Sequence, residues 1–156
     1  MNKQIDNIKK VRLFLLENLK DLSVEQMNKI PSGFNNNIAW NLGHLIAAQQ
    51  GLCYLRANAK PVVDEKYTAF KSGTKPERDL NDHELAAIKD TMLSSLDQLQ
   101  ADYKNNVFTN YNPWVTRYGV ELANIDDAIR FLGFHEGLHS GHIMALKRVV
   151  KNKSCC

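Results

Sequence analysis

The stretch Asn124 to Lys151, NIDDAIRFLGFHEGLHSGHIMALKRVVK, reads as one long amphipathic helix. Asn124 offers its side chain to the free amides of a first turn, Asp126 and Asp127 suit the positive end of the helix dipole, and Lys147 to Lys151 the negative end. His135 and His139 are four residues apart, so they project from one face about one turn apart, and His142 returns to nearly the same stripe. Leu132, Leu138 and Ile143 are the apolar neighbours expected to turn this region inward. Two imidazoles at this spacing can grip one ion.

Working outward, the rest of the chain repeats the helical period. Ile5, Ile8, Val11, Leu15 and Leu19 form an apolar stripe over about Lys3 to Leu19. Ser23 caps a short turn before Pro31. A second helix is expected to start near Ile38, after Gly33 and the cap candidates Asn35, Asn36 and Asn37, and to run to about Asn58. A third opens on Asn81 with Glu84 three residues on, the capping-box arrangement, and carries Leu85, Ile88, Met92, Leu96 and Leu99. Alternating strand patterns hardly occur. Four helices of roughly 17 to 28 residues, about 25 to 40 Å each, describe an all-α four-helix bundle. Residues 1–152 form that domain and 153–156 a tail. The irregular connections fall at Ala59 to Leu80, long for bundle neighbours, and at Asn105 to Ala123.

Composition narrows the function classes. With 156 residues and 24% charged side chains, the chain suits one globular domain that needs no staple. Its three Cys, at 53, 155 and 156, form no spaced framework, which points to a reducing compartment, the cytoplasm. Met1 to Lys10 lacks the apolar core of a signal peptide, and Ile38 to Ala48 is too short and polar to span a bilayer. A net charge of +3, with one basic cluster at the C-terminal end, gives no nucleic-acid motif.

The chemistry concentrates in five His: 44, 83, 135, 139 and 142. A bare His-x-x-x-His recurs by chance, and a lone His on an apolar face is more often a hydrogen-bonded core residue than a ligand. The context here is His44, within Trp40-Asn41-Leu42-Gly43-His44-Leu45 of the second helix, with Gly43 allowing close approach beside it. Two ligands from one helix and one from a facing helix would make a three-His site with a position left for water or substrate. His135-Glu136-Gly137-Leu138-His139 also matches the zinc-protease string in which the Glu is general base. Ser140 to Cys156 contains no Asp or Glu, however, and the extended protease pattern would need Gly at 142 and His at 145, where the chain has His142 and Ala145.

The pair of segments Asn37-Ile38-Ala39-Trp40-Asn41-Leu42-Gly43-His44-Leu45 and His135-Glu136-Gly137-Leu138-His139-Ser140-Gly141-His142-Ile143 resembles the DinB/YfiT-like superfamily of metal-dependent enzymes, and the likeness covers essentially the whole chain. The resemblance implies a bundle of up-down-down-up topology with a long crossover after the second helix. It also implies a divalent ion, zinc or nickel ahead of iron or manganese, on His44, His135 and His139, and a homodimer. Characterised relatives include transferases, one of them an isomerase, that act with low-molecular-weight thiols such as bacillithiol or mycothiol. A thiol-dependent S-transferase is therefore the expected activity, with a hydrolase on the same site, or a noncatalytic dimeric bundle, as the alternatives. His142 stands where the family commonly has Gln, and could be a fourth ligand, a partner of a ligand or a spare base. Asn36 or Asn37 stands where Ser is frequent.

The remaining marked residues have plainer readings. Glu136 lies about 100° around the helix from His135 and reads as a supporting or solvated carboxylate. His83, in the first turn of the third helix, reads as surface, and Cys53 as a small core residue. Cys155 and Cys156 read as free thiols of a mobile tail. Trp114, Arg117 and Tyr118 either cover the mouth of the site or anchor a long loop on the bundle.

Overall fold

A computed structural model describes residues 1–152 of the protein; the tail 153–156, with Cys155 and Cys156, lies outside the described residues. α1 (Asn2–Asn18) opens the chain. The short α2 (Val24–Asn28) opens on a Ser23/Gln26 capping box. α3 (Ile38–Gln49) starts on Asn37, whose Oδ1 accepts from the Trp40 amide at 2.7 Å. α4 (Asp82–Lys104) opens on the Asn81/Glu84 box, and α5 (Ile125–Lys151) on Asn124, which accepts from the Asp127 amide. Each such cap contributes about 1 kcal/mol, and each falls where the residue pattern places it.

Cross-helix pairs give the topology. Lys9 bonds Asp97 and Gln100 bonds Asp6, so α1 and α4 are antiparallel. Arg12 meets Glu136 while Lys147 reaches Asn18, so α1 and α5 are parallel. Gln49 bonds Ser95 and Tyr54 bonds Asp102, which makes α3 and α4 parallel. His139 bonds Asn41 and His142 bonds Asn36, which makes α3 and α5 antiparallel. The order is up-down-down-up. Parallel neighbours need a crossover along the full bundle, and residues 59–80 supply it, with one 3₁₀ turn at Glu65–Phe70. In the second connection β1 (Trp114–Val115) pairs antiparallel with β2 (Glu121–Leu122), a hairpin too short to leave an alternating pattern.

Three details depart from the residue pattern. The second helix is α-helical only to Gln49 and continues as a π turn over Gln50–Tyr54 and a 3₁₀ turn over Leu55–Ala57, ending on Asn58 in the left-handed region at φ 52°. Val11 is 36% exposed and Arg12 is 0% exposed, because steps of three and four from Ile8 to Leu15 pass through Arg12 as well as they pass through Val11. Leu138 is 46% exposed and faces outward, not toward the imidazoles.

A polar layer divides the core. One apolar cluster gathers Leu15, Leu42, Leu45, Met92, Ile143 and Leu146, and another Ile5, Ile8, Leu52, Leu96, Leu99 and Leu132. Between them Arg12 donates to Glu136 from both Nε and Nη2, and from Nη1 to Gln49 Oε1 at 3.0 Å and the Met92 carbonyl at 2.7 Å. Glu136 is 1% exposed. It is neither solvated nor in contact with the imidazoles through any hydrogen bond: its one bonded oxygen belongs to Arg12. Among the described residues no helix is long and apolar enough to cross a membrane.

Candidate metal centre

α3 and α5 bring His44, His135 and His139 together, each offering a nitrogen within 4.8 Å of the others. Their ring centroids are 4.5 to 5.2 Å apart. His44 is buried, and the other two are half-buried. Trp40, one turn before His44, stacks on it at 4.8 Å with an interplanar angle of 8°. Gly43 is required where the crossover packs on α3: a Cβ there would lie 2.5 to 2.8 Å from the Phe70 ring. The missing side chain lets the crossover settle on α3.

Hydrogen bonding sets the tautomers of two of the rings. His44 Nδ1 lies 2.7 Å from the Phe70 carbonyl, which can only accept, so Nδ1 carries the proton and Nε2 keeps a lone pair. His139 Nδ1 lies 2.9 Å from Asn41 Oδ1. Asn41 is oriented by its own Nδ2, which donates to the Asn37 carbonyl at 2.7 Å and to Asn36 Oδ1 at 3.0 Å, so His139 also donates from Nδ1. Imidazole ligands are commonly aligned in this way, through the nitrogen that does not face the ion.

Burial is the first cause of the low basicity of all three. It pushes His135 down to about 3, helped by the neighbouring His139 and His44 and by the charges of Arg12 and Arg117. His139 falls to about 4, by burial and then by His44, His142 and Arg117. His44 is lowered by burial and Arg117, against the pull of the Phe70 carbonyl. Ligand nitrogens must be unprotonated, and these are neutral at physiological pH.

The donor set fits a transition-metal ion. Three neutral imidazoles suit zinc, nickel, iron or copper, and His135 Nδ1 is a buried nitrogen with no hydrogen-bond partner. His142 stands apart from the cluster. Its Nε2 donates to Asn36 Oδ1 at 3.2 Å, the same oxygen that holds Asn41, so it joins the network behind His139. His83 is exposed at the start of α4. A cavity of about 250 Å³ between α3, α4 and the crossover shares Trp40 and Phe70 with the centre but contains none of the three imidazoles.

The hairpin is anchored on the bundle and on the crossover. Trp114 lies under the Arg56 guanidinium, and Tyr118 packs on Phe131 and Phe134 of α5. Arg117 donates to Ser72 Oγ of the crossover at 3.2 Å. Asn41, the Phe70 carbonyl and the Arg12–Glu136 pair had not been singled out from the residues. For Asn41 a signal was present, since it lies three residues before His44 and so on nearly the same helical face.

A helical bundle with an inward-facing three-imidazole cluster across two antiparallel helices defines the class of protein. The sequence profile of the DinB superfamily matches residues 8–143, and the chain belongs to that superfamily. No curated protein matches the sequence.

Proposed function

We propose that the protein is a metal-dependent enzyme in which His44, His135 and His139 hold a divalent cation, zinc or nickel ahead of iron or manganese, and that it joins a low-molecular-weight thiol to an electrophilic carbon, the new carbon–sulfur bond replacing the bond to a departing halide or alkoxide while the thiol proton passes to solvent. The observation that carries this reading is the cluster of three imidazoles kept neutral by burial with no carboxylate among them. A bound cation of this kind lowers the pKa of a coordinated thiol or water and supplies a nucleophile near neutral pH. The chain's own groups orient and shield: Phe70 and Asn41 fix two rings, and Trp40 covers His44. Glu136 favours thiol over water. With its bonded oxygen held by Arg12 and no hydrogen bond to any of the three imidazoles, it is not placed to take a proton from an attacking water, and a thiol, whose free pKa lies roughly seven units below that of bulk water, loses its proton at a bound cation without such a base.

Elemental analysis of the purified protein beside His135→Ala tests the reading, followed by turnover of activated aryl halides and esters with and without thiol. About one ion per chain in the parent, a large loss in the variant and thiol-dependent turnover are expected. Equal metal content in both would defeat the assignment. Ester turnover without thiol would make the protein a hydrolase, and retained metal without any turnover a binding bundle.

Pairing of two copies and a cytoplasmic location belong to the same reading. Phe14 on α1 and Phe134 on α5 are both more than half exposed, which supports pairing. Cys53 is a free, buried cysteine, as suits a reducing compartment. Light scattering at several concentrations tests the first.

A further inference from the structure

Three neutral imidazoles leave a divalent cation its full double charge, and nothing on the adjoining helix offsets it. Asp126 and Asp127 lie in the first turn of α5, two turns and more from His135, and Glu136 is committed to Arg12. A further cation, Arg117, in the turn between β1 and β2, is near enough for its charge to act on all three imidazoles. It is tied to both walls of the centre. Its Nη2 donates to Ser72, two residues beyond the Phe70 carbonyl that holds His44. Its neighbour Tyr118 rests on Phe134, the residue before His135, with 5.5 Å between ring centroids.

Arg117 is exposed, and among the described residues no carboxylate lies within 4 Å of it. One hydroxyl occupies one of its five N–H donors. A guanidinium fork matches an oxyanion in a bidentate way that a hydroxyl does not use. The site thus joins a place for an uncompensated double charge to an unpaired, oriented cation at its edge.

We propose that Arg117 is a specificity-determining residue that binds an anionic oxygen group of the substrate, so that the protein acts on small organic acids, with the carboxylate on the hairpin and the reacting group at the three-imidazole centre. This rests on the metal reading above. The substrate carries charge that the chain itself withholds. Raised ionic strength weakens its binding, because the hairpin arginine is open to solvent.

The test uses the full-length protein loaded with cobalt(II), titrated with mercaptopropionate and with its neutral amide, and followed by the sulfur-to-cobalt charge-transfer absorption. The parent binds the carboxylate about tenfold more tightly than the amide, the effect of one charge-assisted hydrogen-bonded pair. Arg117→Gln brings the two affinities together, and Arg117→Lys keeps part of the difference. Unchanged far-ultraviolet dichroism shows that the exposed substitution leaves the fold intact. No preference in the parent, or a preference that survives Arg117→Gln because the carboxylate reaches the metal directly, overturns the inference. Failure to take up cobalt, or cobalt uptake with no sulfur band from either thiol, overturns the metal-and-thiol reading itself and is distinct from both.

Discussion

Arg12→Met is the most exacting test of how the bundle is held together. Arg12 is 0% exposed and donates to Glu136, Gln49 and the carbonyls of Met92 and Leu45. Methionine fills much of its volume but leaves Glu136 buried without a cation. Breaking a buried pair from one side costs about 3 to 5 kcal/mol. With a urea slope of about 2 kcal/mol/M for a domain of this size, the midpoint falls by roughly 2 M. The loss also depends on pH. Burial already raises the Glu136 carboxyl above its ordinary 4.5, against the attraction of Arg12, and removing Arg12 raises it further. The unfolded value is common to both proteins, so the deficit against the parent is set by the two folded values: it grows as pH rises from the parent's folded value to the variant's higher one, and shrinks again as pH falls back through that window. In that window it changes by about 1.4 kcal/mol per pH unit. Adding Glu136→Gln removes the buried charge, so the double variant regains most of the stability and loses the pH dependence. Urea unfolding followed by dichroism between about pH 5 and 7.5, with the difference from the parent taken at each pH, reads all of this. A single variant within 1 kcal/mol of the parent, or two substitutions that simply add, would refute the argument.

Three further outcomes follow from the site. Asn41→Leu removes the acceptor of His139 Nδ1 and lowers metal affinity about 10- to 100-fold in competition with a chromophoric chelator, whereas His142→Ala, one step further back, costs less than tenfold. Gly43→Ala destabilises by about 1 to 3 kcal/mol in thermal melts despite alanine's better helix propensity, because its Cβ would meet the Phe70 ring. For the metal-free protein, the lowered folded values of about 3 for His135 and about 4 for His139, against 6.5 unfolded, mean that the unfolded chain takes up protons first. Its stability therefore falls as pH drops from 6.5 toward 4, an acid sensitivity that urea midpoints resolve and that replacing both rings reduces to the share left by His44.

What was legible in the residues was what is local. The caps Ser23, Asn37, Asn81 and Asn124 act on amides three positions away, and His135 with His139 needs only the helical repeat. His44 stood out as another histidine on an apolar helix that could face the pair, and the likeness between two separated segments, which carries long-range information that periodicity lacks, then joined it to them. Arg12 shows the limit. Its place on the stripe was available, but arginine enters a core only if a partner waits there, and Glu136 is 124 positions away. Asn36 reads as a spare cap because nothing nearby indicates His142, 106 residues on. The hairpin escaped because a two-residue ladder has no period to detect.

The crossover is where topology turns into chemistry. Up-down-down-up order makes α3 and α4 parallel, so the chain must travel back along the bundle between them, and the long 59–80 connection is a consequence of that order. A connection of this length could have run over the surface without contact. Instead Gly43 opens a slot for the Phe70 ring, and the Phe70 carbonyl then holds His44 Nδ1. Thr74 bonds Trp40, which stacks on His44, and Ser72 meets Arg117 from the hairpin. Of the three imidazoles, His139 is held from α3 and His44 from the crossover, while His135 Nδ1 has no protein partner. Orientation of the centre therefore depends on the segment least constrained by helix packing. Substitutions at Phe70 or Gly43 should disturb the alignment of His44 before they disturb the helices.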